Sequence, residues 1–234
     1  MLKNKSTFHI IYALAFAATI ANAITGYVQS SYLNHFLSLN YIGLFLSLVT
    51  IITIIISFIY PKLISRHSVY SLTILTLFLS IIASLFMSSG TNSLLILIAF
   101  TIRYLSLTFL MINLDIFLED ISTDNRTGVI RTQYLTVMNV AWLMSPLLMG
   151  HIIGPNNDYP QIYYIGGLIL LAAFILLIFT KHQLPRSKIY CQEQSLSKGL
   201  NKLIGHGDRR RIFFSSLVLQ FFYALMTLYV PIYL

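Results

Sequence analysis

The feature that most constrains this chain is a long segment without formal charge near its start. Between Ser6 and Pro61 there is no Asp, Glu, Lys or Arg. A helix needs about 20 mostly apolar residues to cross the hydrocarbon core of a bilayer, so this segment is long enough for two crossings. Backbone groups left outside a helix would find no water there. The sequence therefore predicts an all-α membrane protein.

The remainder of the chain has the same character. Hydrophobic residues make up 57% of the sequence and charged residues 9%, whereas a soluble domain carries roughly 25% charged residues. Most of the outer surface must therefore face lipid. Seven stretches are long and apolar enough to be spans. They cover approximately residues 8–32, 41–59, 69–87, 93–118, 129–153, 162–180 and 212–234.

The distribution of basic residues predicts the orientation. All Lys and Arg residues except Arg103 lie before the first span, or within or at the edge of loops that alternate along the chain. Such residues stay cytoplasmic during insertion. The N-terminus and the long loop 181–211 are therefore predicted to be cytoplasmic, in a multi-pass protein of the cell membrane. A cleavable signal ending near Ala21-Asn22-Ala23 is the alternative for the first span, but the apolar segment continues past that point.

The same distribution argues against a nucleic-acid partner. The formal net charge is +8, yet the charges are spread over several loops instead of being gathered on one face. Sequence patterns for enzymes are also absent. The chain contains no His-Glu-x-x-His, Gly-x-x-x-x-Gly-Lys or Gly-x-Ser-x-Gly pattern, and its six histidines are scattered. We therefore predict no catalytic residue, metal or cofactor, and interpret the chain as a protein other than an enzyme.

Arg103 is the strongest candidate functional residue. It lies ten residues into the fourth span, about 15 Å along a helix, which is too deep for its side chain to reach the interface easily. Charged groups inside a membrane are costly and are therefore candidates for function. Arg103 would bind an anionic group or take part in proton coupling. Alternatively, it is a structural arginine satisfied by carbonyl groups of neighbouring helices.

Other polar residues form a second set of candidates. In the first span Asn22, Thr25, Gly26 and Gln29 have the spacing of one helix face. Such a stripe lines a water-filled path or holds helices together. Asn139 in the fifth span is a weaker candidate for the same site.

A charged cluster near the end of the fourth span suggests a gate. Asp115 and Glu119 are one helical turn apart. Together with Asp120, they could pair with basic residues of neighbouring loops, namely Arg66, Arg126 or Arg131. The prediction is a cytoplasmic gate of ion pairs, and a solvated helix end is the alternative.

Several partial motifs occur in an order that resembles a known family. The segment 61–68 lies where that family has a basic loop, and Arg66 matches it. Arg103 matches an arginine of the family's fourth span, and Pro146 and Gly150 match part of an antiporter signature in the fifth. The charged segment 119–131 and the segment 208–234 are similar to the family's elbow and seventh span. Together they resemble the N-terminal half of a major facilitator superfamily transporter.

The resemblance implies both a fold and a function. Residues 1–180 would form a six-helix bundle of two three-helix repeats, 181–211 a cytoplasmic linker, and 212–234 a seventh span that begins a second bundle. Such a protein moves a small solute by alternating access. The resemblance further implies proton coupling and favours export. Arg103 and the polar candidates of the first and fifth spans would line the solute site.

The predicted seventh span also bears on whether the chain is a whole transporter. A lone helix after six spans predicts that the chain is a fragment, with a missing C-terminal half or a partner bundle. Its partners would then be the lipid bilayer, a small solute and protons. A scaffold or half-transporter that needs a partner is the first alternative, and an integral membrane enzyme that uses the long loop is the second.

Overall fold

The structure is a computed structural model that describes residues 2–122, 127–153, 158–185 and 207–233. Within these ranges the chain is helical and contains no strand. The helices are α1 (Leu2–Gly26), α2 (Gln29–Leu33), α3 (Leu39–Arg66), α4 (Val69–Ser89), α5 (Ser93–Ile121), α6 (Thr127–Ile153), α7 (Tyr159–Phe179) and α8 (Gly207–Tyr233). The predicted all-α class is confirmed.

Six of the helices are long and apolar enough to cross a membrane. These are α1 and α3 to α7, which confirms the first six predicted spans. Over its described residues α8 does not belong to this set, so the seventh span stays a prediction. Most of the predicted linker, residues 186–206, lies outside the described residues.

Two helix boundaries differ from the sequence-based prediction. The first span was predicted as one helix to about residue 32, but α1 ends at Gly26 and a turn separates it from α2. There the N–H of Val28 bonds to the carbonyl of Thr25 at 3.3 Å, one residue short of helical spacing. In α3 the helix continues through Pro61 to Arg66. Most of the basic segment predicted as a loop is therefore the end of a helix.

Side-chain caps fix the starts of two spans. The side chain of Asn92 accepts hydrogen bonds from the N–H groups of Leu94 and Leu95, at 3.0 and 3.3 Å. The Oγ of Ser68 accepts from the N–H of Ser71 at 3.2 Å. Such caps satisfy donors that a helix start leaves unpaired, and they explain how α4 and α5 begin after very short loops.

The helices form a bundle in which α4 packs against α5 and α7, while α1 packs against α5, α6 and α7. Its largest apolar cluster includes fully buried side chains such as Leu14, Leu110 and Phe117. By contrast, only 22% of the apolar window of α3 and 11% of that of α6 is buried. These two helices therefore leave most of their apolar surface uncovered by the described bundle.

One end of the bundle collects the exposed basic residues. Ser6 Oγ donates to Gln183 Oε1 at 2.7 Å and Thr7 Oγ1 donates to the Gln183 carbonyl at 3.0 Å. These bonds place the start of α1 beside the segment after α7. We call this the basic end, because the exposed side chains here include Lys62, Arg66, Arg131 and Lys181.

Candidate functional site

Arg103 lies on α5 at the meeting point of four helices, and only 5% of its surface is exposed. Its Nε donates to Ser84 Oγ on α4 at 3.0 Å. Its Nη2 donates to the Ala21 carbonyl at 3.1 Å and to Thr25 Oγ1 at 2.7 Å, both on α1. The guanidinium carbon lies 5.4 Å from the ring centre of Tyr163 on α7, within the range of a cation–π contact.

Two adjacent glycines allow α7 to approach this site. A Cβ on Gly166 would lie 3.5 Å from the methyl group of Thr25, and one on Gly167 would lie 3.4 Å from the Cβ of Ser84 and 3.2 Å from Leu85. Small residues permit such close helix packing in membranes. Ser84, Tyr163 and the glycine pair are not among the site residues predicted from the sequence. The Gly-Gly pair inside an apolar span was the available signal for this packing.

The guanidinium of Arg103 retains unused donors. An arginine has five N–H groups, and three of them make the hydrogen bonds to Ser84, Ala21 and Thr25. Among the described residues the two N–H groups on Nη1 have no hydrogen-bond partner. Arg103 can therefore still donate two hydrogen bonds from Nη1 to further acceptors.

The charge of Arg103 is also not balanced by a nearby acid on the spanning helices. Of the six described spans only α5 contains Asp or Glu, and its first acid is Asp115. That residue lies twelve positions further along the helix, about 18 Å away. The described spans therefore place no carboxylate close to the guanidinium of Arg103.

The predicted stripe of the first span is only partly assembled. Thr25 is buried and bound to Arg103, whereas Asn22 is half-buried on α1. Gln29 lies beyond the turn on α2, so the four residues do not share one continuous helix. Gly26 instead faces α6, where a Cβ would lie 3.5 Å from the ring of Trp142. Asn139 is exposed on α6.

The residues of the predicted gate lie at the basic end. Asp115 and Glu119 are exposed on α5, and Arg66 is exposed at the end of α3. Asp115 interacts electrostatically with Arg131 and Tyr134 of α6 and with Glu119. The predicted gate residue Arg126 lies outside the described residues.

The two residues that match the antiporter signature lie on the uncovered side of α6. Pro146 is inside the helix and is exposed. A Cβ on Gly150 would meet no described atom within 4 Å. Neither residue is therefore needed for packing within the described bundle.

A second buried polar contact connects α3 to α5. Tyr60 donates its hydroxyl hydrogen to Asn113 Oδ1 at 2.7 Å, and its ring stacks on Phe109 with ring centres 4.2 Å apart. The Nδ2 of Asn113 is buried and has no partner among the described residues. Because α3 is otherwise loosely packed, this contact helps to hold it on the bundle.

Comparison with known proteins identifies a family. The model of the Major Facilitator Superfamily matches residues 11–234, which covers most of α1 and all of the other described helices. No curated protein matches the chain significantly.

Proposed function

This chain belongs to the major facilitator superfamily and is a membrane transporter, and from that premise we propose that it moves a small solute by alternating access, coupled to protons and in the direction of export. In such proteins two bundles rock around a site near the middle of the membrane, so that the site opens to one side at a time. The described six-helix bundle is one of the two.

The observation that carries this proposal is the state of Arg103. A guanidinium in mid-membrane is costly unless it is paired, and here two of its N–H groups and its charge remain unmatched by the described spans. A carboxylate or phosphate on the solute would match both, because its oxygens accept charge-assisted hydrogen bonds from Nη1 and its charge balances that of the guanidinium. We therefore assign Arg103 to the solute site, with Asn22, Thr25, Gln29 and Asn139 nearest the path.

A second bundle would complete the site. The apolar faces of α3 and α6 are the most exposed in the bundle, as expected of surfaces that pack against another bundle or lipid. The signature residues Pro146 and Gly150 lie on this side of α6. In this proposal α8 is the seventh span and belongs to that second bundle.

Proton coupling and export rest on the family and on the antiporter-like residues of α6. The gate would be at the basic end, where Asp115, Glu119 and Arg66 are exposed and where Arg126 follows α5 in sequence. We propose that this end faces the cytoplasm of a cell membrane, because basic residues direct insertion.

The test of transport uses the whole chain in vesicles that contain a pH-sensitive dye. We expect members of a panel of small organic carboxylates and phosphate esters to dissipate an imposed pH gradient when added. Empty vesicles and vesicles with denatured protein give the background. If no solute in the panel moves protons or accumulates under any imposed gradient, the proposed function is wrong.

A non-transporting scaffold is the second candidate, because three hydrogen bonds already hold Arg103 within its own bundle. A scaffold needs such an arginine only for packing. The two candidates differ in outcome, since a scaffold predicts no solute-dependent flux and no change in flux when Arg103 is replaced.

The single cysteine of the chain allows a direct test of orientation. Cys191 lies in the segment between α7 and α8. We expect a membrane-impermeant maleimide to label it in inside-out vesicles but not in intact cells, since this segment is proposed to be cytoplasmic. In the matched control, Cys191→Ser combined with Ser89→Cys moves the thiol to the opposite end of the bundle and reverses the pattern. Labelling of Cys191 in intact cells would contradict the orientation.

A further inference from the structure

Trp142, the single tryptophan of the chain, lies far from both ends of its membrane span. It is about 22 Å along α6 from Thr127 and about 16 Å from Ile153. Tryptophan in membrane proteins is usually found at the two interfaces, where its ring meets the headgroups and its N–H meets water. A tryptophan in the middle of a span therefore needs another explanation.

The indole N–H of Trp142 has no acceptor within the part of the chain that the structure describes. Its Nε1 is not enclosed by the described bundle either, so this donor is open at the bundle surface. Lipid chains offer no acceptor at such a depth, and an N–H left unpaired there is costly. The surface around Trp142 is therefore expected to face water or protein and not lipid.

Trp142 and Tyr27, which lies in the turn after α1, form the two walls of a corner. Their ring centres are 5.6 Å apart and their planes meet at 75°, and both side chains are half-buried. Gly26 makes room for one edge of the indole, because a Cβ there would lie 3.5 Å from Cη2 of Trp142. A flat ring in such a corner stacks on one wall and meets the other edge-on, and both arrangements are favourable for aromatic rings.

The corner lies beside the residue that binds Arg103. Thr25 accepts a hydrogen bond from Arg103 at 2.7 Å. It directly precedes Gly26, so the α-carbons of these two contact points are about 3.8 Å apart. Asn139, which is exposed, lies one helical turn before Trp142 on α6. A small solute can therefore hold its anionic group at Arg103 while its ring lies in the corner.

We propose that Trp142 and Tyr27 form an aromatic subsite of the solute site, which takes a flat, unsaturated ring of an anionic solute. The N–H of Trp142 donates a hydrogen bond to that solute or, in its absence, to water. This inference rests on the proposed function and names the class of solute, an aromatic carboxylate or phosphate ester. Lipid and the second bundle are the competing occupants of this surface.

Quenching of tryptophan fluorescence reports what faces the subsite, because Trp142 is the only source of this signal. For the whole protein in vesicles we expect acrylamide, which is dissolved in the water, to quench the emission more strongly than lipids with brominated chains do. Trp142→Phe gives the background signal. Stronger quenching by the brominated lipids would place the indole against lipid, and no quenching by either agent would place it beneath the second bundle. Either result contradicts the proposal.

Selectivity for a flat ring is tested with phenyl phosphate and cyclohexyl phosphate, which carry the same anionic group and differ only in the ring. We expect each probe to give a saturable change in the emission of Trp142. Half-saturation should need a roughly tenfold lower concentration of phenyl phosphate, because only its ring can stack in the corner. Equal half-saturating concentrations, or no saturable change with either probe, would show that the corner does not bind a flat ring.

A transport measurement separates this inference from the proposed function. The concentration that gives half-maximal flux should show the same preference for phenyl phosphate in the wild type, and Trp142→Leu should remove the preference while cyclohexyl phosphate is still moved. Phe179→Leu, which removes an exposed ring on α7, is the matched control and should keep it. If Trp142→Leu does not fold, Tyr27→Leu replaces it and should weaken the preference.

The two hypotheses fail in different ways. If the wild type moves no solute of the panel, the proposed function is wrong, whereas a selective change in the emission of Trp142 would still support the aromatic subsite. If the wild type moves both probes with equal half-maximal concentrations, only the subsite is wrong.

Discussion

Replacement of Arg103 by alanine is expected to lower solute-dependent proton flux by roughly 100-fold while the bundle stays folded. The reason is that two charge-assisted hydrogen bonds from Nη1 to the solute would be lost, each worth about 1.5 kcal/mol. The fold should survive because the remaining partners, among them Ser84 and Thr25, are neutral groups, so no buried charge is left unpaired. Flux is measured in vesicles with the dye and the solute panel.

Two further variants distinguish charge from geometry. Arg103→Lys keeps the charge but loses the planar fork of donors, so we expect it to restore only a small part of the flux. Ser84→Ala removes the acceptor of Nε and leaves Nη1 in place, so its effect should be much smaller than that of Arg103→Ala. Failure of Arg103→Ala to insert and fold would assign the residue to structure and favour the scaffold.

The spans could be predicted because they depend on local composition. Six apolar segments separated by short polar breaks leave little freedom, and the starts of α4 and α5 follow from caps at Ser68 and Asn92. The turn after Gly26 could not be read in the same way. It depends on Gly26 and Tyr27 meeting Trp142 of α6, whose ring lies 5.6 Å from that of Tyr27, and that contact is tertiary.

The candidate site could likewise be predicted from the sequence only in part. Arg103 stood out because its charge is unusual wherever it lies within a span. Its partners Ser84 and Tyr163 did not stand out, because serine and tyrosine are common in membrane helices and acquire meaning only once α4 and α7 meet α5. For Asp115 the sequence suggested several basic partners equally, and in the structure it interacts electrostatically with Arg131 of α6.

A larger side chain at Gly167 is expected to destabilise the protein by disrupting the packing of α7 against α4. A Cβ there would already lie 3.2 Å from Leu85 and 3.4 Å from Ser84, so the rest of a leucine side chain would have to separate α7 from α4. Overpacking of this kind costs about 1–3 kcal/mol and occasionally more. We expect Gly167→Leu to lower the free energy of unfolding by about 3 kcal/mol, measured by denaturation in detergent.

A leucine at Gly43 provides the matched control for this prediction. A Cβ there meets no described atom within 4 Å, and replacing a glycine inside a helix removes a penalty of about 1 kcal/mol. Gly43→Leu should therefore be neutral or slightly stabilising. Equal destabilisation by the two variants would show that the loss comes from glycine itself and not from packing. If only Gly167→Leu is destabilised, α7 must lie directly against Ser84, and this packing then fixes the acceptor that orients Arg103.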